Sequence, residues 1–377
     1  MDVLRIGTLG AARIAPKALV RPAREVDGVE VVAVAARDRG RAEEFAARQG
    51  VPRVHGSYRE LVEDPEIDAV YNPLPNALHL PWTLAALAAG KHVLCEKPLT
   101  NNEAEARTAS AAARERGLVL MEAFHYRHHP VMKRLVRLVH GLPGEGERLP
   151  FPGARGAIGA IQRIEARMCF PMLARGDIRY DYELGGGALM DAGCYAVHAA
   201  RALGLGPELG DPAAEPEVVR ARAKRLRRDP RVDRAMDAEL RFPSGVRARV
   251  VASLWSGRAL DIGLRVIGER GEVSVFNYLA PQAGHRIRVR AEDRSWTEHL
   301  PGEGTYTLQL RAFLAAVRDG GPNPTPAEDA IRTMRVVDAV YRGAGMPVRG
   351  EPVEAPLSRA AGSPRNPTQW GLVTQLR

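Results

Sequence analysis

Two short stretches of the chain hold residue types that proton chemistry uses. Asp191 and Tyr195, within Gly185-Gly186-Gly187-Ala188-Leu189-Met190-Asp191-Ala192-Gly193-Cys194-Tyr195, are spaced i, i+4. On a helix they share a face, which sets a carboxylate beside a phenol as proton transfer requires. The three glycines ahead of them predict close backbone packing at the helix entry. Lys97, in Cys95-Glu96-Lys97-Pro98, is one of only five lysines and falls at the end of a strand, directly before a proline. A solvated lysine is uncommon in that position, although a strand-end charge with no further role fits the same four residues.

The elements that must position these groups change character along the chain. Up to residue 123, β-rich runs alternate with helical patterns. Strands are predicted at Val3 to Thr8, Val29 to Ala35, near Val54, at Ile67 to Tyr71, His92 to Cys95 and Leu118 to Glu122. Pro16 opens a helix, and Arg39 to Gln49 reads as another that stops at Gly50. Ser57-Tyr58-Arg59-Glu60 and Thr100-Asn101-Asn102-Glu103 fit the capping box and mark two more helix starts. Strands separated by helices and short loops predict a doubly wound parallel sheet with its ligand at the carboxyl ends of the strands.

From residue 124 to 345 the pattern is different. A helix at Val131 to His140 leads into a Gly- and Pro-rich loop, Gly141 to Gly159, and then Ile164, Ala166, Met168 and Phe170 alternate with polar neighbours as in a half-buried strand. Further strands are expected near Val218 to Leu226, Asp237 to Phe242, Val246 to Trp255, Ile262 to Ile267, Glu272 to Phe276 and Ile287 to Arg290. Helices are expected at Ala188 to Leu203, Thr307 to Arg318 and Ala327 to Tyr341. The fold class is therefore α/β: an N-terminal Rossmann-type sheet over residues 1–123, then an α+β domain over 124–345 with a large, mostly antiparallel open sheet. Residues 346–377, with five prolines, read as an extended tail.

In that frame, Gly10-Ala11-Ala12-Arg13-Ile14-Ala15 joins the first strand to the first helix. Small residues there let backbone N–H groups and the helix N-terminus meet a pyrophosphate, and they equally suit tight strand-to-helix packing. Ala35-Ala36-Arg37-Asp38 follows the second strand. An NAD site places a carboxylate there for the ribose 2′-OH, whereas Arg37 offers a guanidinium to a 2′-phosphate, so NADP(H) is favoured over NAD(H). Asp38, one residue on, is the competing feature.

Composition excludes several classes. The chain has 377 residues, 45% hydrophobic and 26% charged, enough for two or three domains with ample core. The three cysteines form no C-x-x-C pair, the first strand starts almost at Met1 with no apolar leader, and no apolar run approaches membrane-spanning length. These features predict a soluble cytoplasmic protein with free thiols. A formal charge of +9 invites a nucleic-acid reading, but the 49 arginines are spread among Asp and Glu, and a solvated Arg-rich surface is the plainer explanation. His125, His128 and His129 crowd one loop without an acidic or thiol cluster, so no metal is expected. Trp255, at a strand end, is suited either to stacking on a sugar face or to packing in the sheet.

Gly10-x-Ala12-x-x-Ala15, Glu96-Lys97-Pro98 and Asp191-x-Gly193-x-Tyr195, in this order and spacing, resemble the glucose-fructose oxidoreductase, inositol dehydrogenase and rhizopine-catabolism (Gfo/Idh/MocA) family over roughly residues 3 to 345. The segments Tyr71 to His79 and Glu122 to Pro130, with Tyr195 where inositol dehydrogenases carry His, resemble the branch of dihydrodiol dehydrogenases, NADP-dependent xylose dehydrogenases and nucleotide-sugar ketoreductases. Ala12 replaces the usual middle Gly. The resemblance implies hydride transfer between a nicotinamide and a carbonyl or secondary alcohol carbon of a sugar, polyol or nucleotide sugar. It implies Tyr195 as proton donor or acceptor, Lys97 lowering the pKa of that phenol and polarising the substrate oxygen, and Asp191 holding a substrate hydroxyl or orienting Lys97. The cofactor site would comprise Gly10, Ala12, Arg13, Ile14, Arg37, Pro73, Leu74, Asn76, His79, Glu96, Lys97 and Glu122. Substrate would meet Lys97, Arg127, Asp191, Tyr195 and Trp255, and the Lys97–Pro98 bond is expected to be cis.

Two function classes follow: an NADP(H)-dependent oxidoreductase, or a non-catalytic sensor of NADP(H) or sugar on the same fold. Retention of Lys97, Asp191 and Tyr195 favours the enzyme, because a sensor has no use for a proton-transfer set. The open face of the second sheet, with Val251, Trp255 and Val289 among its residues, predicts a homodimer or homotetramer.

Overall fold

A computed structural model of the chain describes residues 3–142, 156–174, 176–206, 209, 211–256, 260–292 and 294–350. Most of the predicted loop at 141–159 and nearly all of the tail after 346 lie outside these residues.

The first sheet has the order β3-β2-β1-β4-β5-β6, with every neighbouring pair parallel. Its strands are β1 (Leu4–Leu9), β2 (Val29–Ala35), β3 (Arg53–His55), β4 (Ala69–Asn72), β5 (His92–Cys95) and β6 (Leu120–Glu122). Leu4, Ile6, Val34, Val70, Tyr71, Val93 and Leu94 are all buried, since helices cover both faces. A π-turn (Pro16–Val20) running into α1 (Arg21–Ala23), then α2 (Arg39–Gln49), α3 (Tyr58–Glu63), α4 (His79–Ala88) and α5 (Glu103–Glu115) supply those covers. Strand order reverses between β1 and β4, and the carboxyl ends there open the crevice in which doubly wound sheets take ligands.

The capping box at Ser57 forms as predicted: Ser57 Oγ accepts from Glu60 N–H at 3.1 Å, and Glu60 reaches back to the Gly56 N–H. The box at Thr100 is displaced by two residues. Asn102 caps α5, accepting from Glu105 N–H at 2.8 Å while Glu105 takes the Asn101 N–H, and Thr100 is spent on the Asn102 carbonyl. Asn is as good a cap as Thr, so the pair in better register with the Ala-rich face prevails.

The second sheet has eight strands in the order β14-β13-β12-β11-β7-β10-β9-β8, antiparallel except for β7 with β10. They are β7 (Ile161–Cys169), β8 (Glu217–Arg225), β9 (Asp233–Arg241), β10 (Arg247–Ser253), β11 (Asp261–Gly268), β12 (Gly271–Phe276), β13 (Arg286–Ala291) and β14 (Arg294–Glu298). β14 and the first turns of β9 escape sequence reading because their apolar content is too low to show a period of two. α6 (Pro130–His140) and α7 (Cys194–Leu205) pack on the inner face, α9 (Ala327–Gly343) spans from β8 to α5, and α8 (Thr305–Asp319) returns against the first sheet. The predicted helix at Ala188 is in fact two pieces, a π-turn (Leu189–Gly193) followed by α7.

The outer face of this sheet corrects one expectation. Val289 points inward and is fully buried, and the outer positions carry a lattice of ion pairs: Arg249–Asp237 at 2.6 Å, Arg241–Glu217 at 2.5 Å, Arg167–Asp261 at 3.0 Å and Arg163–Glu165 at 3.2 Å. Cross-strand pairs of opposite charge satisfy this face without an apolar cover. Val289 is therefore withdrawn from the apolar patch from which association was predicted, while Val251 is half-buried and Trp255 exposed.

Candidate active site

β5 delivers Lys97 to the crevice, where the Lys97–Pro98 peptide bond is cis. The ammonium donates to the Asp191 carbonyl at 2.8 Å and to Asp191 Oδ1 at 3.3 Å, and it lies over the Tyr195 ring, 4.7 Å from the centroid. The π-turn lets Asp191 offer both its backbone and its carboxylate to one ammonium, while Tyr195 opens α7 directly beneath. The other Asp191 oxygen accepts from Arg179 Nε at 2.7 Å, and Arg179 is tied in turn to Asp177 at 3.0 Å. A chain of alternating charge thus runs Lys97–Asp191–Arg179–Asp177.

Burial opposes charge on Lys97, but Asp191, Cys194 and Glu96 together outweigh it and the lysine stays cationic. Burial likewise opposes charge on Asp191, and its two cations hold it ionised, below the ordinary range. Tyr195 differs from expectation. Burial, reinforced by neighbouring acidic groups, pushes its phenol well above the usual value, and Lys97 does not bring it down. The ammonium sits over the ring face, engaged with Asp191, instead of at the hydroxyl. Tyr195 is therefore held protonated, ready to donate.

Aromatic rings wall the phenol. Phe124, His125 and Tyr126 stand edge-on to it at 5.3, 5.9 and 5.9 Å between centroids. His198, one turn along α7, stacks on Phe124 at 4.3 Å, accepts from the Tyr126 hydroxyl and stands 3.0 Å from Asp329. Burial keeps His198 below the usual imidazole value and so neutral. Its Nδ1 then accepts from Tyr126 and its Nε2–H faces Asp329. Asp329 also receives Arg201, which is fully buried and bonded to Glu215 and Thr333.

On the cofactor side, β1 ends in Gly10, whose φ of +85° begins the turn toward Ala12, Arg13 and Ile14; a Cβ there would come within 3.1 Å of Leu74. The small Gly10 and Ala12, with Arg13 exposed beside them at the carboxyl edge, fit a dinucleotide. Arg37 is exposed, and Asp38 is committed to capping α2, accepting from Arg41 N–H at 2.8 Å. The carboxylate that competed for the ribose is thus engaged elsewhere. Pro73 and Leu74 line the end of β4, and Asn76 donates to the Gly185 carbonyl at 3.0 Å, which joins the two halves of the crevice.

Three residues assigned to the cofactor site in the sequence make contacts within the protein. His79 is fully buried with both ring nitrogens engaged, one on the Leu74 carbonyl and one on the Pro98 carbonyl, each at 2.8 Å. Glu96 accepts from the Tyr71 hydroxyl at 2.8 Å. Glu122 accepts from Leu99 N–H at 2.8 Å, and burial pushes its carboxyl up to about 8. All three brace the loop that carries Lys97. Arg127 lies in the turn after β6 with its Nε buried and without a hydrogen-bond partner among the described residues. Trp255 is 59% exposed, not packed in the sheet, and follows Leu254, whose carbonyl accepts from Tyr180 at 3.2 Å. Arg179 went unrecognised in the sequence because its segment has no periodic pattern. His198 had a signal, since i, i+3 from Tyr195 shares a helix face.

Comparison with known proteins places the two domains in one family. Residues 4–124 match the Gfo/Idh/MocA oxidoreductase family's NAD-binding Rossmann fold, and residues 154–274 match its C-terminal domain. The chain is 34% identical over 342 residues to D-xylose 1-dehydrogenase (NADP+) 2 of Haloferax volcanii, covering 90% of this chain and 97% of that one. It is 36% identical over 344 residues to dTDP-3,4-didehydro-2,6-dideoxy-alpha-D-glucose 3-reductase of Actinomadura kijaniata, covering 90% and 96%. A crystal structure of a 3-ketoreductase from A. kijaniata, in complex with NADP and TDP-benzene, superposes with a TM-score of 0.78 at 33% identity, over 91% of this chain and 98% of that one. The chain belongs to the Gfo/Idh/MocA family of NAD-binding oxidoreductases.

Proposed function

We propose that the chain is a cytoplasmic NADP(H)-dependent oxidoreductase acting on a carbonyl or secondary alcohol of a sugar, polyol or nucleotide sugar. The observation that carries this reading is Lys97, whose single ammonium engages Asp191 and covers the ring of a buried, protonated Tyr195 at the carboxyl edge of β5. NADP-linked relatives acting on xylose and on a dTDP-ketosugar support the substrate class and the cofactor.

When bound, the reduced cofactor supplies the hydride. Gly10, Ala12, Arg13 and Ile14 would hold its pyrophosphate, Arg37 its 2′-phosphate, and Pro73, Leu74 and Asn76 the nicotinamide half. Lys97 orients toward the substrate oxygen and polarises the carbonyl, Asp191 takes a neighbouring hydroxyl, and Tyr195 gives its proton to the oxygen as charge develops there. Arg127 and Trp255 border the remainder of the substrate. In the reverse direction the substrate hydroxyl returns that proton, which requires a locally stabilised phenolate, and Lys97 is the cation closest to hand.

The test is absorbance of NADPH with a panel of ketosugars and diketones, and of NADP+ with aldoses and diols. NADPH is expected to bind at least about tenfold more tightly than NADH, about 1.4 kcal/mol from one charge-assisted contact at Arg37. Fluorescence titration with both cofactors measures it, and equal affinities would remove Arg37 from the site. Turnover of no substrate on the panel by a protein that binds NADPH would favour the sensor.

The outer face of the second sheet is the proposed contact in a homodimer or homotetramer. Because that face is lined with ion pairs, light scattering should report an oligomer at low salt whose mass falls as salt is raised. A monomer at micromolar concentration and low ionic strength would rule it out.

A further inference from the structure

The segment that follows α9 takes part in the site although nothing in the proposed chemistry uses it. Arg349 is only 7% exposed, and its guanidinium lies between two rings, 4.9 Å from the centroid of Tyr182 and 5.7 Å from that of Tyr341. Its Nη2 donates to the Gly186 carbonyl, while its own carbonyl accepts from Asn102 Nδ2 at 2.8 Å. One residue thus ties the start of α5, on the first sheet, to the glycine loop that opens the π-turn.

That loop holds Asp191 in two ways. The Gly187 carbonyl accepts from Asp191 N–H at 3.0 Å, and the Gly186 and Gly187 N–H groups donate to the Asp181 and Arg179 carbonyls at 2.7 and 2.8 Å. Arg179 is the side chain that fixes the far oxygen of Asp191. The fit is tight: a Cβ on Gly186 would come within 2.6 Å of the Arg179 and Ile178 carbonyls, and one on Gly187 within 2.4 Å of Asp233 Oδ1. Asp233 completes the clamp, accepting from Leu189 N–H at 2.8 Å and from the Tyr341 hydroxyl at 3.0 Å. Burial pushes the Asp233 carboxyl up, against the Leu189 N–H, the Tyr341 hydroxyl and the nearby Arg349 charge, which favour its ionised form.

We infer that Arg349 is a positioning residue, which sets Asp191 and, through the π-turn, Tyr195 by clamping the Gly185–Gly187 loop against the first sheet. The inference rests on the reading that Asp191 and Tyr195 act on substrate. A carboxylate that must meet both Lys97 and a substrate hydroxyl tolerates displacements of well under an ångström, so loosening its loop acts on turnover and leaves the cofactor site in place.

The test measures kcat per NADPH-binding molecule for wild type, Arg349→Ala, Arg349→Lys and Tyr195→Phe on whichever substrate of the panel wild type turns over. Arg349→Ala should lose at least about tenfold in kcat with NADPH affinity within about threefold, and millimolar guanidinium should restore much of the loss by refilling the slot between Tyr182 and Tyr341. Arg349→Lys, which keeps the charge but not the planar stack, should fall between. Should Arg349→Ala fail to fold, Arg349→Met keeps the volume of the stem and takes its place. Full kcat in the Ala or Met variant, or a loss that guanidinium does not relieve and that follows loss of folded protein, would overturn the inference while a large Tyr195→Phe effect left the reading of the site intact. Full activity in Tyr195→Phe would overturn both.

Discussion

Tyr195→Phe and Lys97→Met are each expected to lower kcat for carbonyl reduction by at least about a hundredfold, the low end of what general acid catalysis contributes, while NADPH affinity stays within a few-fold. The double variant should be little worse than either single one, because groups that act as a unit lose most of their effect at the first substitution. The geometry gives each half of this expectation a cause. Tyr195 is held protonated by burial, and Phe removes the only proton that the phenol offers. Lys97 is the shared partner of Asp191 and the Tyr195 ring, so Met leaves Asp191 with Arg179 alone and removes the cation over the ring. NADPH absorbance with the best substrate of the panel measures all three variants. Near-full activity in Tyr195→Phe would make the phenol a packing residue and end the proposed mechanism.

Arg201→Met should produce the largest loss of stability, about 3–5 kcal/mol in urea unfolding, with the midpoint falling accordingly. Arg201 is fully buried, and it compensates Asp329 at 2.8 Å and Glu215 at 2.5 Å, both almost fully buried themselves. Removing it strands two carboxylates in the core beside His198, the residue that stacks on Phe124 and receives Tyr126. The pH dependence has a definite sign. Burial opposes charge on Asp329, but Arg201 and His198 hold its pKa far below the usual carboxylate range, so its contribution is complete above the ordinary Asp pKa of about 3.9 and drains away as pH falls below it. Wild type should therefore lose stability in acid, and Arg201→Met should lose less. Replacing Asp329 and Glu215 by apolar residues together with Arg201 should recover most of the loss, since a buried ion cluster is worth little more than a well-packed apolar one. An unchanged urea midpoint in Arg201→Met would show that water or a rearranged side chain already compensates the two carboxylates.

The sequence by itself determined the architecture and singled out the residues proposed to carry the chemistry. The parallel sheet was legible because strands buried on both faces read as continuous apolar runs between Gly and Pro punctuation, and because Gly10, Ala12 and Ala15 occupy the turn where bulk is forbidden. Lys97, Asp191 and Tyr195 stood out through residue type, rarity and spacing, which survive in one dimension. What spacing cannot express was decided by the tertiary structure. The ammonium of Lys97 lies on the face of the Tyr195 ring because Asp191, on a π-turn, competes for it, and this overturns the expected lowering of the phenol's pKa. His79, Glu96 and Glu122 stood out in sequence pattern, and the carbonyls, hydroxyl and N–H group that they meet are ones that only folding brings within reach. The outer face of the second sheet was expected to present Val251, Trp255 and Val289, but Val289 turns inward and ion pairs line much of the face, because alternation along one strand says nothing about which charge faces it from the next. Arg349 lies 158 residues from Asp191 and has no local pattern at all. Its influence on Asp191 exists only because α9 returns the chain to the glycine loop, a contact set by packing between distant segments and not by any property of the residues around it.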